Sequence, residues 1–254
     1  MSDLSAFDLA GRRVMVTGAS TGIGQGIAVA VARAGAGVVG VSRSSMAHTA
    51  GLVEATGGSF TGISCDLSAA AAGVAMLEAE WAAGGPLDGL VNNAGTIRRA
   101  DAVDYGEADW DTVVDLDLKS LFFLSQAFGR AVLSAGRQGR IVNIASVLSF
   151  QGGIRVPAYT AAKHGVLGVT RALACEWAAR GVNVNAIAPG YVISDNTEAL
   201  RADPQRSSAI LARIPAGRWG EPDDIAGAAV FLLAPASRYM HGAVVPVDGG
   251  WLAR

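Results

Sequence analysis

Tyr159 and Lys163 stand four residues apart, and Ser146 lies upstream of them. On a helix, side chains at i and i+4 project from one face. A phenol titrates near pH ~10 in water, and a neighbouring ammonium stabilises its phenolate. Lys163 is therefore expected to lower the Tyr159 value, so that Tyr159 takes a proton from an alcohol near neutral pH or returns one to a carbonyl. Ser146, at the expected end of a strand, offers a hydroxyl to the same substrate oxygen. A lone Tyr-x-x-x-Lys is usually only a helix surface. Here it stands downstream of a glycine-rich turn, Thr17-Gly18-Ala19-Ser20-Thr21-Gly22-Ile23-Gly24, placed where a first strand meets a first helix. Gly18 permits the sharp turn, and Gly22 and Gly24 let backbone approach a pyrophosphate. The helix start then offers free N–H donors and the positive end of its dipole. The spacing is G-x-x-x-G-x-G rather than G-x-G-x-x-G. A bound nicotinamide would carry the hydride, leaving the protein to position and polarise.

The elements that must position these groups alternate strand and helix. Short apolar runs predict strands over 12–17, 36–42, 59–65, 87–92, 140–146, 182–188 and 243–247. Helices are predicted over 22–34, 68–83 with Ser68 as N-cap, 107–135 as one long element, 157–180 with Pro157 in its first turn, and 223–233. Such alternation means right-handed βαβ units, hence a single-domain α/β fold: a Rossmann-type doubly wound parallel sheet with helices on both faces. The polar stretch 191–214, between a strand and the next helix, is expected to be a loop-and-short-helix lid or else a plain surface excursion. After the second strand come Ser42 and Arg43. Nothing acidic there would repel a 2′-phosphate, and Arg43 either pairs with it, stacks on adenine or is simply solvated. For an anionic substrate the candidates are Arg98, Arg99 and Arg155; Arg155, between the Ser146 strand and Tyr159, suits a carboxylate at the cleft. Gln151 is a comparable candidate for sugar hydroxyls.

The glycine turn resembles that of the short-chain dehydrogenase/reductase family. So do Asn92-Asn93-Ala94-Gly95 after the fourth strand, Ser146 with Tyr159-x-x-x-Lys163, and Pro189-Gly190 after the sixth strand, all in order along the chain. The resemblance implies Tyr159 as acid/base, Ser146 as partner of the substrate oxygen, and Lys163 holding both Tyr159 and the nicotinamide ribose. It extends contact with an NAD or NADP cofactor to Gly18, Ser20, Thr21, Gly22, Ile23, Gly24, Ser42 and Arg43. Asp66 and Leu67 would lie beside adenine, and Asn93, Ala94 and Gly95 would line the middle of the site. Pro189, Gly190, Val192 and Ser194 would lie near the nicotinamide. Where the family usually has Asn in the pattern D-x-N-L-K-S, this chain reads Asp115-Leu116-Asp117-Leu118-Lys119-Ser120. Asp117 is thus implied in the catalytic group, with retained activity and an altered pH dependence. The stretches 95–99, 149–157, 214–220 and 248–254 are similar to a subgroup that oxidises a hydroxyl of a deoxy-hexonate, 2-dehydro-3-deoxy-D-gluconate or 2-deoxy-D-gluconate, to a ketone. That subgroup is described as using NAD, against the Ser42–Arg43 reading, so both cofactors stay open. The family also implies a homotetramer.

Composition bounds the rest. The chain has 254 residues, 51% hydrophobic and 17% charged, with 33 glycines. With 20 Lys+Arg against 22 Asp+Glu the net charge is −2, which gives no basic footprint for nucleic acid or anionic membranes. Cys65 and Cys175 do not make a disulfide scaffold and suit a reduced compartment, so the cytoplasm is expected. No apolar run is long enough for a membrane span. The N-terminal stretch, with Asp3 and Asp8, does not read as a secretory signal. His48, His164 and His241 lack metal-ligand spacing, and no metal is expected. Three functions are compatible: a sugar-acid dehydrogenase, a 3-oxoacyl thioester reductase, and a nucleotide-sensing scaffold without turnover. Tyr159→Phe separates the enzymes from the scaffold. A dehydrogenase is expected to lose about 99% or more of its turnover while cofactor binding, followed by fluorescence titration, is retained.

Overall fold

The computed structural model describes residues 4–254; the first three residues of the N-terminal stretch, Asp3 included, lie outside the described residues. Seven strands form one parallel sheet in the order β3-β2-β1-β4-β5-β6-β7. They are β1 (Arg13–Thr17), β2 (Gly37–Ser42), β3 (Phe60–Ser64), β4 (Gly89–Asn92), β5 (Gly139–Ile144), β6 (Val182–Pro189) and β7 (Val244–Val247). Each strand expected from an apolar run is present, shorter or longer by no more than two residues at an end. β4, β5 and β6 are buried along their whole length, as strands covered by helices on both faces must be.

Helices α1 (Gly22–Arg33) and α9 (Pro222–Leu233) cover one face. Ile27, Val31, Val14, Val16, Ile225 and Leu232 are among the residues of that core. The opposite core gathers Met15, Leu90, Ile141 and Val184 from the sheet with Leu77 of α3 (Ala70–Gly84), Phe128 of α5 (Leu121–Ser134) and Trp177 of α6 (Pro157–Trp177). After β1 the chain winds toward β3, and after β4 toward β7. The order therefore reverses between β1 and β4, and crossovers leaving to opposite sides open a crevice at the carboxyl ends of those strands.

Three expectations need correction, and one helix was not foreseen. The element over 107–135 is not one regular helix. It is α4 (Glu107–Val114), a π-helical turn (Asp115–Ser120), then α5. The extra residue per turn rotates Asp117 and Ser120 inward, where both are buried, while Lys119 stays exposed and pairs with Asp115 at 3.0 Å. Ser68 does not cap α3. Its N–H and hydroxyl both donate to Asp66 Oδ1, at 3.0 and 2.8 Å, and the helix begins two residues later with Ala69 at the cap. The helix from Pro157 ends at Trp177, and 178–180 tighten into a 3-10 turn before Gly181 in the left-handed region. A short helix α2 (Ala47–Glu54) was not expected; Thr49 anchors it by donating to the Ala19 carbonyl at 2.8 Å.

The stretch 191–214 folds as a 3-10 turn (Asp195–Thr197) and two short helices, α7 (Glu198–Ala202) and α8 (Pro204–Leu211). Ile210 and Ile214 pack with Val147 and Trp251, so the segment rests on a small apolar cluster of its own. No helix among the described residues is long and apolar enough to cross a membrane.

Phe128 is fully buried between α5 and the sheet. Phe128→Ala is expected to cost about 3–5 kcal/mol of stability, read as a lower urea midpoint with the slope unchanged.

Candidate active site

The crevice is a cavity of about 350 Å³ that runs from the glycine turn to Tyr159. Thr17 organises its floor. The Thr17 hydroxyl accepts the backbone N–H groups of Asn93 and Ala94, at 2.9 and 3.0 Å, and itself donates to the Val91 carbonyl at 3.2 Å. Asn93 Nδ2 donates back to the Thr17 carbonyl at 2.9 Å. The loop after β4 is thereby stitched to the turn after β1. Gly18 adopts φ +67°, and a Cβ on Gly24 would drive into the Gly18 carbonyl oxygen. No side chain caps the start of α1 at Thr21. A cradle that only glycine fits, with uncapped helix N–H groups facing an open crevice, is what a dinucleotide pyrophosphate requires. The residues present therefore fit such a cofactor.

At the far end, three segments meet. Lys163 is buried and donates from Nζ to the Ile144 carbonyl at the end of β5, at 2.9 Å. Its Nζ lies 3.5 Å from Asp117 Oδ2 and 5.4 Å from the centre of the Tyr159 ring. Asp117 Oδ1 accepts the Thr96 N–H at 2.7 Å. Ser146 is fixed through Ser149, whose hydroxyl accepts the Ser146 N–H at 3.2 Å and donates to the Lys163 carbonyl at 2.7 Å. Ser146, Tyr159, Lys163 and Asp117 all line the cavity.

The electrostatics qualify one expectation. Burial holds the Tyr159 phenol above its ordinary value. Lys163, a hydrogen-bonding interaction with Ser146 and the charge of Arg99 pull it down, while Asp117 pushes it up. Lys163 thus acts in the expected direction, but burial outweighs it. Burial also raises the Asp117 carboxyl, against the opposing pull of Lys163 and of the Thr96 N–H.

All the residues expected to touch the cofactor line this one cavity, from Gly18, Ser20, Thr21, Gly22, Ile23 and Gly24 at the turn to Pro189, Gly190, Val192 and Ser194 at the other end. Ser42 donates to the Ser20 hydroxyl at 3.0 Å. Arg43 is not free, because Asp66 comes within 3.7 Å of it. Hydrogen bonds from Ser68, then the charge of Arg43, hold the Asp66 carboxyl below its usual value.

The substrate-side expectations fare differently. Arg155 pairs with Asp101 at 3.0 Å and has φ +65°, and none of Arg98, Arg99, Gln151 and Arg155 lies on the cavity wall. The carboxylate nearer to Arg155 in space captured it. Arg98 faces Asp109 at 3.5 Å. Arg99 is the arginine whose field reaches Tyr159, and its Nη2 donates to the Asn196 carbonyl in 191–214 at 2.8 Å. Asp195, Asn196 and Thr197 also line the cavity, and Thr21 Oγ1 bridges to Asp195 Oδ2 at 3.2 Å. Sequence reasoning did not single these three out; their polar run beside Ser194 was the available signal. Among the described residues no cluster of His, Cys, Asp or Glu could hold a metal.

A family profile described as enoyl-(acyl carrier protein) reductase matches residues 18–252. The chain belongs to the short-chain dehydrogenase/reductase family. It is 53% identical over 251 residues to a 2-dehydro-3-deoxy-D-gluconate 5-dehydrogenase of Escherichia coli strain K12, covering 99% of each chain. A solved structure of a candidate 2-deoxy-D-gluconate 3-dehydrogenase from Agrobacterium tumefaciens, with bound NADP, is 57% identical with a TM-score of 0.93, covering 98% of this chain and 99% of that one. Another, of a candidate NAD(P)-dependent gluconate 5-dehydrogenase from Beutenbergia cavernae with NADP at low occupancy, is 50% identical with a TM-score of 0.95, covering 98% and 100%.

Gly24→Ala tests the cradle. The Cβ forces the turn apart, so stability is expected to fall by about 1–3 kcal/mol and dinucleotide affinity at least tenfold, read by urea melting and fluorescence titration.

Proposed function

We propose that this chain is an NAD(P)-dependent dehydrogenase that interconverts a secondary alcohol and a ketone on a sugar acid, of the 2-dehydro-3-deoxy-D-gluconate or 2-deoxy-D-gluconate type. The observation that carries the reading is the convergence of Ser146, Tyr159 and Lys163 at one end of a cavity whose other end is a glycine cradle. The nicotinamide, when bound, accepts or supplies the hydride. In the oxidative direction the substrate hydroxyl loses its proton to the Tyr159 phenolate as hydride leaves the carbinol carbon. Ser146 donates a hydrogen bond to the developing carbonyl oxygen. In the reductive direction the Tyr159 phenol returns that proton. Lys163 and Arg99 stabilise the phenolate that oxidation needs.

Arg99 is the group proposed to anchor the substrate carboxylate. Its charge reaches Tyr159, and Arg206 lies close enough to act on it. The relatives named for gluconate-type substrates support this choice of anion. Segment 191–214 is read as the lid over that end, joined to the body by Arg99–Asn196 and Thr21–Asp195. A homotetramer in the cytoplasm belongs to the same reading, and the half-exposed Trp110 and Phe123 on the α4 and α5 surfaces favour association.

Identity of 40% over 243 residues with a 3-oxoacyl-(acyl-carrier-protein) reductase of Vibrio cholerae favours a second reading, reduction of a 3-oxoacyl thioester. A screen of sugar acids, neutral sugars and oxoacyl thioesters with each cofactor, followed by the absorbance of reduced nicotinamide, separates the two. Turnover confined to thioesters overturns the sugar-acid reading. Arg99→Ala is expected to raise KM for sugar acids about tenfold or more and to leave KM for a neutral alcohol nearly unchanged.

A further inference from the structure

Asp117 is an unusual group to find where it is. Its side chain is fully inaccessible, and that of Lys163 is 5% exposed. Oδ1 is engaged by the Thr96 N–H, whereas Oδ2 has no hydrogen-bond partner and lies 3.5 Å from the Lys163 ammonium. One Lys163 N–H is already committed to the Ile144 carbonyl. The other charged groups nearby are few. Asp115 and Lys119 of the same π turn pair with each other on its outer side. α6 presents Lys163 and Tyr159, and the loop after β4 presents the Thr96 N–H. Around Tyr159 stand Lys163, Asp117, the Ser146 hydroxyl and Arg99.

We propose that Asp117 is the counter-charge that sets the pH range over which Tyr159 exchanges its proton: ionised, it pairs with Lys163, cancels much of the ammonium's field at the phenol, and keeps Tyr159 in its proton-bearing form to higher pH. The inference rests on the reading of Tyr159 as the proton-exchanging group. Opposite charges removed from water act on a third group with little screening, so a nearly neutral pair leaves the phenol governed by its own burial and by Arg99. Asp117 is a positioning residue here, acting through Lys163 and through its field. It suits the reductive direction, which needs the phenol, and delays the oxidative one, which needs the phenolate.

Asp117→Asn keeps the shape and the Oδ1 acceptor for Thr96 while removing the charge. The acid limb of the oxidation profile and the alkaline limb of the reduction profile should then both move to lower pH, by about one unit. A merely structural role would lower rates without moving both limbs the same way. The decisive readout needs no substrate: the tyrosinate absorbance titration of the chain minus that of its Tyr159→Phe variant isolates the Tyr159 step. In the unaltered chain this step should lie above that of free tyrosine, and it should fall by about one unit in Asp117→Asn and likewise in Asp117→Ser. A step at or below the free value in the unaltered chain, or one that stays put or rises in a folded variant, overturns the proposal. A step that moves while no alcohol or ketone is turned over supports the counter-charge and sinks the dehydrogenase reading instead. Turnover of sugar acids with an unmoved step sinks the counter-charge alone.

Discussion

The arrangement of this site depends on one buried ammonium. Lys163 has given up water, and a desolvated charge persists only with fixed partners. Those partners come from the Ile144 carbonyl at the end of β5 and from Asp117 in the π turn between α4 and α5. Strand end, π turn and α6 are therefore held in one relative position. Ser146 inherits that position, because Ser149 bridges its N–H to the Lys163 carbonyl. The groups proposed to handle a substrate proton are placed by the same contacts that satisfy the lysine.

A second buried polar network lies beneath them. Asn92 and Asn143 are register partners on β4 and β5, and Asn92 Nδ2 donates to Asn143 Oδ1 at 2.9 Å and to Ser125 Oγ at 2.9 Å. Asn143 Nδ2 donates in turn to Thr170 Oγ1 of α6 at 2.9 Å. Buried amides tolerate little displacement, since an unmade bond exposes the full desolvation cost. The network ties α5 and α6 to neighbouring strands just below the Ile144 carbonyl. On the other side of the switch point, the Thr17 hydroxyl does the same for the glycine turn and the loop after β4. The cavity thus has two rigid ends, and its less regular wall is the segment 191–214.

How far the sequence foretold this depends on the kind of constraint. Strands were legible because a parallel strand buried on both faces is a plain apolar run, and β2 with Val38, Val39 and Val41 is such a run. The glycine turn and the Tyr159–Lys163 pair were legible because local spacing alone fixes their geometry. The π turn was not: Asp115–Ser120 continues an acceptable helical pattern, and nothing local reveals that Asp117 turns inward. α2 escaped notice because its eight residues include a glycine and carry almost no apolar stripe. Arg155 was favoured over Arg99 by its place in the chain next to Tyr159. In the structure Arg155 pairs with Asp101, a partner that sequence distance could not bring into view.

The adenosine end shows the same limit in a more consequential place. Judged on β2 alone, Ser42 and Arg43 leave no carboxylate to repel a 2′-phosphate. The sheet, however, sets β3 beside β2, with Ser42 in register with Ser64, and this brings Asp66 within 3.7 Å of Arg43. A carboxylate absent from one strand end is supplied by the next. Both side chains are more than half exposed, so the pair contributes little stability and is readily separated. A 2′-phosphate would compete with Asp66 for Arg43, while Ser68 holds Asp66 in its ionised form. Neither cofactor meets a fixed, uncompensated like charge. An Arg43 that turned to a ligand phosphate would do so against Asp66, a balance of exposed charges that salt would shift.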